Sequence, residues 1–104
     1  MALLSDSERD EALKALPGWR YEAERNGIAR RFRFSGFGEA FAFMTRVALE
    51  AEKADHHPDW SNAWNRVDIL LSTHSEGGVS EKDVALAHRI EAAAAPLASR
   101  KRDH

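Results

Sequence analysis

The segment from Glu52 to Trp60 reads EKADHHPDW and sets two adjacent imidazoles, His56 and His57, between acidic residues. Imidazole has an ordinary pKa near ~6.5, so each ring can give or take a proton at neutral pH. The chain has five histidines. His104 is terminal and is set aside. His88 lies within an expected helix with Glu91 three residues on, and a surface helix pair accounts for it. His56, His57 and His74 remain. A lone histidine of this kind is ordinarily a hydrogen-bonded loop residue. Three of them, each at the end of an element, point instead to general acid–base work, because functional groups collect at the ends of a rigid scaffold. Glu52 precedes His56 by one helical turn, close enough to orient an imidazole, although an exposed helix carboxylate explains it equally well. Asp83 reads first as a helix cap, a role compatible with a second one.

Metal binding is the rival use of clustered histidine and acid. Neighbouring side chains of an extended segment point in opposite directions, which makes chelation by both His56 and His57 awkward. No HExxH helix is present, so no metal and no cofactor are expected. Gly77-Gly78 is too short for a phosphate loop, and no serine has a nucleophile context.

The elements that must hold these groups follow from pattern. Ser5 and Glu8 have capping-box spacing, Ala12, Leu13 and Leu16 make an apolar side, and Pro17-Gly18 ends a first helix. Asn26-Gly27 predicts a two-residue hairpin turn. That turn sets Tyr21 opposite Phe32, Trp19 opposite Phe34, Glu22 opposite Arg31 and Arg20 opposite Arg33. Trp19, Tyr21, Phe32 and Phe34 then share one face, with a basic face behind them. Ser35 can cap a second helix from Gly36 to Ala54. Its expected buried stripe is Phe37, Phe41, Met44, Ala48 and Ala51, widened by Ala40 and Val47. Pro58 ends the helical possibility and extends His57. Strands over 59–64 and 67–74, turning at Asn65-Arg66, put Trp60 opposite Leu71 and Asn62 opposite Ile69. Val67, Ile69, Leu71 and Thr73 share one face; Asp68, Leu70, Ser72 and His74 share the other, which Leu70 suggests is not wholly wet. A last helix starts at Ser80, with a Val79–Val84 staple and Ser80–Asp83 as a capping box. It buries Leu86, Ile90, Ala93 and Leu97, and Pro96 should end or kink it. Two hairpins joined into one four-stranded antiparallel sheet, with three helices packed on one face, give an α+β fold of order α-β-β-α-β-β-α.

A chain of 104 residues suits a single domain, 1–104, with about 98–104 expected as a frayed tail. Absence of cysteine excludes disulfides and thiolate metal sites and fits a reducing compartment. A net charge of −2 gives no global field toward nucleic acid or membrane, so neither is an expected partner. The start lacks a basic n-region, no apolar run approaches a membrane span, and the expected address is cytoplasmic.

At these positions the chain resembles the pterin-4a-carbinolamine dehydratase family. The family pattern asks for a charged residue, three spacers, His, His or Asn, and Pro. After five spacers it takes an aromatic, after nine more a His, and an Asp past a short loop. Here these are Glu52, His56, His57, Pro58, Trp64, His74 and Asp83. The similarity extends through LPGW at Leu16–Trp19 and THSEGGVSEKD at Thr73–Asp83, covering nearly the whole chain. The resemblance implies the fold reached above, a homodimer or homotetramer, and dehydration of a 4a-hydroxytetrahydropterin to a quinonoid dihydropterin. That activity recycles tetrahydropterin in support of aromatic amino acid hydroxylases, and the pterin is substrate, not cofactor. By resemblance, His56, His57 and His74 are catalytic, with His57 or His56 assisting hydroxyl departure and His74 assisting proton removal. Glu52 and Asp83 support the imidazoles. Pro58, Thr73, His74, Ser75 and Glu76 line the pterin pocket with His56 and His57, and Trp60 offers a flat wall or simply packs on the sheet. The alternative is a non-catalytic, homo-oligomeric protein-binding module, since animal members of the family also serve as dimerisation partners of a transcription factor.

Overall fold

A computed structural model describes residues 3–102, with side chains described through Leu97. The order is α1 (Asp6–Lys14), β1 (Arg20–Glu22), β2 (Gly27–Arg33), α2 (Phe37–Ala54), β3 (Asp59–Ala63), β4 (Arg66–Leu71) and α3 (Glu81–Arg102). Short 3-10 turns occupy Ala23–Arg25 and His74–Glu76. The strands form one antiparallel sheet in the order β1-β2-β4-β3. Each hairpin contributes an edge strand and a central one. One sheet face supplies Ile28, Phe32, Val67, Ile69 and Leu71 to a core completed by Leu16, Trp19, Phe43, Val47, Leu86 and Ile90, so the helices cover that face alone. Among the described residues no helix is long and apolar enough to cross a membrane.

α1 begins as its spacing requires. Ser5 Oγ accepts the Glu8 N–H at 3.1 Å while Glu8 Oε1 accepts the Ser5 N–H at 2.8 Å, a reciprocal capping box.

Both hairpins slip from their expected register. Tyr21 lies opposite Ile28 and Arg20 opposite Ala29, four residues from the two-residue-turn pairing. Asn26 does take the left-handed conformation, at φ 54°, but it closes the 3-10 turn, and Gly27 is already strand. A Cβ on Gly27 would lie 2.6 Å from the Leu71 carbonyl oxygen and 2.9 Å from Leu70 Cδ1, so only glycine lets β2 run against β4 there. Leu70 is buried over this gap, which accounts for an apolar residue on the open face. In the second hairpin Trp64-Asn65 forms the turn, with Trp64 at φ 51°. Trp60 therefore pairs with Ile69 and Asn62 with Val67. Asn65 is held elsewhere: its Nδ2 donates to the Phe34 carbonyl at 2.9 Å and its own carbonyl accepts the Phe34 N–H at 2.9 Å.

Both slips are even-numbered, so each side chain that lies in a strand keeps its face. The charge pairings change. Arg20 does not oppose Arg33; it binds Glu22 at 2.7 Å, and Arg31 Nε donates to Asp68 Oδ1 of β4 at 2.7 Å. Tyr21 stays half out of the core beneath the Arg9 guanidinium, 3.7 Å from its ring centroid.

α2 spans the expected residues but is rotated. Its buried residues are Ala40, Phe43, Val47 and Ala51. Phe37 and Phe41 are 51% and 57% exposed and touch each other instead. Two apolar stripes at helical spacing compete on this helix, and Phe43 decides between them. Its ring fits between Phe32 and Phe34, at centroid distances of 4.8 and 4.9 Å. The expected Ser35 cap is replaced by Gly36, while Ser35 Oγ donates to Glu39 at 2.6 Å. In α3, Leu86, Ala87, Ile90, Ala93 and Ala94 are buried. Pro96 lies inside this helix and does not end it. Helical backbone continues through most of the expected 98–104 tail, of which 103 and 104 lie outside the described residues.

Candidate active site

α2 ends where the histidine pair begins. Asp55 takes the left-handed conformation at φ 52°, the His56 N–H donates to Ala51 O at 3.1 Å and the Asp55 N–H to Glu52 O at 3.2 Å. This is a Schellman end built on aspartate, a residue that tolerates the left-handed region. It reverses the chain sharply enough to send the two imidazoles to different carboxylates. His56 turns toward α3, where its Nε2 lies 2.6 Å from Asp83 Oδ1. His57 folds back over the last turn of α2, its Nε2 2.7 Å from Glu52 Oε1. Glu52 thus serves His57, not His56 as its helical spacing suggested.

The two pairs differ in environment. His56 and Asp83 side chains are 11% and 0% exposed, against 57% and 76% for His57 and Glu52. The inner pair is shielded from competing water; the outer one is not. Asp83 is also held on its second oxygen, which accepts the Ser80 N–H at 2.9 Å and the Thr73 hydroxyl at 2.8 Å.

His74 arrives from the far end of β4. It opens a 3-10 turn and does not extend the strand as expected. Gly77 closes that turn at φ 79°, and the Thr73 N–H binds the Gly78 carbonyl at 2.7 Å, so the glycine pair makes a tight loop that presents residues 74–76. The His74 ring has no hydrogen-bond partner among the described residues.

His56, His57 and His74 line one cavity of about 270 Å³, together with Thr73 and Ser75. This is just below the ~300–1,000 Å³ of small-ligand pockets, room for a small ligand only. Asp55, Ser72 and Lys82 complete the wall. Sequence reasoning passed over these. Asp55 adjoins the histidine pair, and Lys82 is a cation in the first turn of α3, where the helix dipole opposes it. Pro58, Glu76 and Trp60 are not among the lining residues, and Trp60 packs against the core from β3. Larger concavities lie on the open sheet face, about 360 Å³ among Arg25, Arg31, Asp59 and Asp68, and between α2 and α3, about 530 Å³ beside Leu49 and Ala92. Neither contains a histidine, and Arg25–Asp59 and Arg31–Asp68 are already paired in the first. Among the described residues, no group of three or more His, Asp or Glu side chains converges as a metal site.

The family described as pterin 4 alpha carbinolamine dehydratase matches residues 2–93. The chain belongs to this family. A Rhizorhabdus wittichii protein assigned as a pterin-4-alpha-carbinolamine dehydratase is 64% identical over 88% of the chain and 94% of its own length. A similarly assigned Brucella ovis protein is 53% identical over the same shares. Among solved structures, a Brucella melitensis protein described as a transcriptional coactivator/pterin dehydratase superposes with a TM-score of 0.86 at 52% identity, covering 88% of this chain and 98% of that one. A pterin dehydratase-like protein described as a RuBisCO assembly factor in the alpha-carboxysome superposes with a TM-score of 0.66 at 26% identity, covering 74% and 89%. A protein of dehydratase-like fold is thus named for an assembly role, and another solved structure carries a coactivator name beside the dehydratase one.

Proposed function

We propose that this family member dehydrates a 4a-hydroxytetrahydropterin by general acid–base catalysis. The observation that carries the reading is that three histidines, two adjacent at the end of α2 and one from the turn after β4, line one small cavity. In the reaction a base removes the proton from ring N5, the N5–H electron pair becomes the C4a=N5 bond, and the C4a–O bond breaks. The hydroxyl leaves as water with a proton from an acid. Neither a nucleophile nor a redox group is required.

The hydrogen bonds suggest a division of labour. A carboxylate against the far nitrogen stabilises the positive charge of a ring that holds an extra proton. His56 and His57 have such partners, in Asp83 and Glu52, and suit protonation of the departing hydroxyl. His74 has none and suits removal of the N5 proton. Groups of this kind contribute roughly 10²–10⁴-fold each. Thr73 and Ser75 supply polar wall, and the quinonoid product serves tetrahydropterin recycling for aromatic amino acid hydroxylation. The protein works as a homodimer or homotetramer, a reading supported by the exposed Phe37, Phe41 and Leu49 along α2.

Stopped-flow dehydration of a freshly generated 4a-hydroxytetrahydropterin tests the proposal. Acceleration that is lost in His57→Ala and His74→Ala, with the fold intact, supports it. Equal rates with and without the protein overturn it in favour of a non-catalytic binding module, which has no physical need of the trio.

A further inference from the structure

We propose that Thr73 and Ser80 are positioning residues, a buried hydroxyl chain that fixes Asp83 and through it holds His56 with a proton on Nε2. Thr73, Ser80 and Asp83 are 4%, 0% and 0% exposed, so the two hydroxyls and the carboxylate are shielded from bulk water. The direction of each hydrogen bond follows by elimination. A carboxylate only accepts. Its Oδ2 takes the Ser80 N–H at 2.9 Å and the single hydroxyl proton of Thr73 at 2.8 Å. The 2.6 Å contact between Thr73 Oγ1 and Ser80 Oγ must then be donated by Ser80. Ser80 Oγ in turn accepts the Lys82 N–H at 3.2 Å. With Oδ2 engaged twice, Oδ1 is left for His56, 2.6 Å away, which must donate from Nε2. The basic nitrogen of the neutral ring is therefore Nδ1.

A helix cap alone explains the Ser80–Asp83 contact and leaves Thr73 unexplained. Thr73 belongs to the segment after β4, and its hydroxyl reaches the carboxylate only because the loop closed by Gly78 brings it there. The chain thus joins the start of α3, the exit of β4 and the end of α2 at one carboxylate. It also commits the Thr73 hydroxyl proton to Asp83, so that side chain does not donate to a ligand even though it lines the cavity.

The inference deepens the dehydratase reading, and its kinetic arm rests on it; its spectroscopic arm does not. The experiment uses the full chain with ¹⁵N-labelled histidine, comparing wild type, Thr73→Val, Thr73→Ser and Ser80→Ala. Wild type should show neutral His56 as the Nε2–H tautomer. Thr73→Val should give a mixture of tautomers and lower kcat about tenfold, the worth of one hydrogen bond to a charged group, with KM within about twofold. Thr73→Ser, which keeps the hydroxyl, should restore both. Ser80→Ala removes the outer donor and should shift His56 in the same sense, which preserves the test if Thr73→Val fails to fold. An unchanged His56 tautomer in both Thr73→Val and Ser80→Ala overturns the proposal, as does a raised KM at unchanged kcat in Thr73→Val, which would place the hydroxyl on the substrate. A wild type without dehydratase activity removes the catalytic reading, while the tautomers still decide the positioning.

Discussion

His56 Nε2 and Asp83 Oδ1 lie 2.6 Å apart although 27 residues separate them in the chain, and the pair is nearly sealed from solvent. His57 and Glu52 make the same kind of contact at 2.7 Å in the open. Identical chemistry at two levels of burial leads to unequal consequences of mutation.

Asp83→Asn should be the more damaging carboxylate change. The amide presents a donor to a site already filled by donors from Ser80, Thr73 and His56, so at least one buried group loses its partner. We expect kcat to fall about 100-fold, within the range of acid–base contributions, with KM little altered. Glu52→Gln should cost less than about tenfold, because an exposed pair is weakly coupled. Steady-state kinetics on the two variants checks the ranking, and equal losses would contradict it.

Lys82→Met should weaken binding without weakening the fold. The ammonium lines the cavity, has no ion pair or side-chain hydrogen bond among the described residues, and sits where the α3 dipole disfavours it. We expect KM for the pterin to rise about tenfold, as for a lost hydrogen bond from a charged donor, with an unchanged melting temperature. A drop in melting temperature at constant KM would make Lys82 structural.

The rotation of α2 separates its aromatic residues by role. Phe43→Ala should destabilise the protein by about 3–5 kcal/mol, since it empties the space between Phe32 and Phe34. Phe37→Ser should change the stability of the isolated fold by less than about 0.5 kcal/mol. Urea unfolding measures both. Sedimentation of a Phe37→Ser, Phe41→Ser double variant, compared with wild type, reports whether these rings serve self-association.

Asp68 should contribute to acid sensitivity. The Arg31 hydrogen bond holds its carboxyl below the ordinary value of 3.8 against an opposing effect of burial. A carboxylate depressed in the folded state stabilises it fully above the ordinary carboxylate range. That contribution declines as pH falls through the range and is gone below the folded-state value. Asp68→Asn should therefore flatten the low-pH limb of stability slightly, both partners being partly solvated. Unfolding midpoints from pH 7 down to pH 3 would show it, and an unchanged limb would assign acid sensitivity to other carboxylates.

Element order, the fold class, the α1 cap, the end of α2 at Ala54 and the position of three histidines at element ends were all legible in the sequence. Each depends on interactions within a few residues: capping spacing, side-chain period, and the stops imposed by proline and glycine. Register and helix rotation were not legible. Asn26-Gly27 is a sound local signal for a tight turn, but Gly27 is needed instead where β2 passes the backbone of Leu71 and the side chain of Leu70. The apolar stripes of α2 are equivalent on a helical wheel until Phe32 and Phe34 of β2 select Phe43.

The same division holds at the site. Sequence alone determined which groups are available, the three imidazoles and two carboxylates, and that they lie at element ends, because residue type and local spacing carry that information. Only the tertiary structure decided the pairing. It gave Glu52 to His57 and Asp83 to His56, moved Trp60 into the sheet packing, and put Lys82 and Asp55 on the cavity wall. Those outcomes follow from the left-handed turn at Asp55 and from the packing of α3 against the end of β4. Contacts between segments far apart in the chain are set by how the layers close over one core, and no local pattern records them.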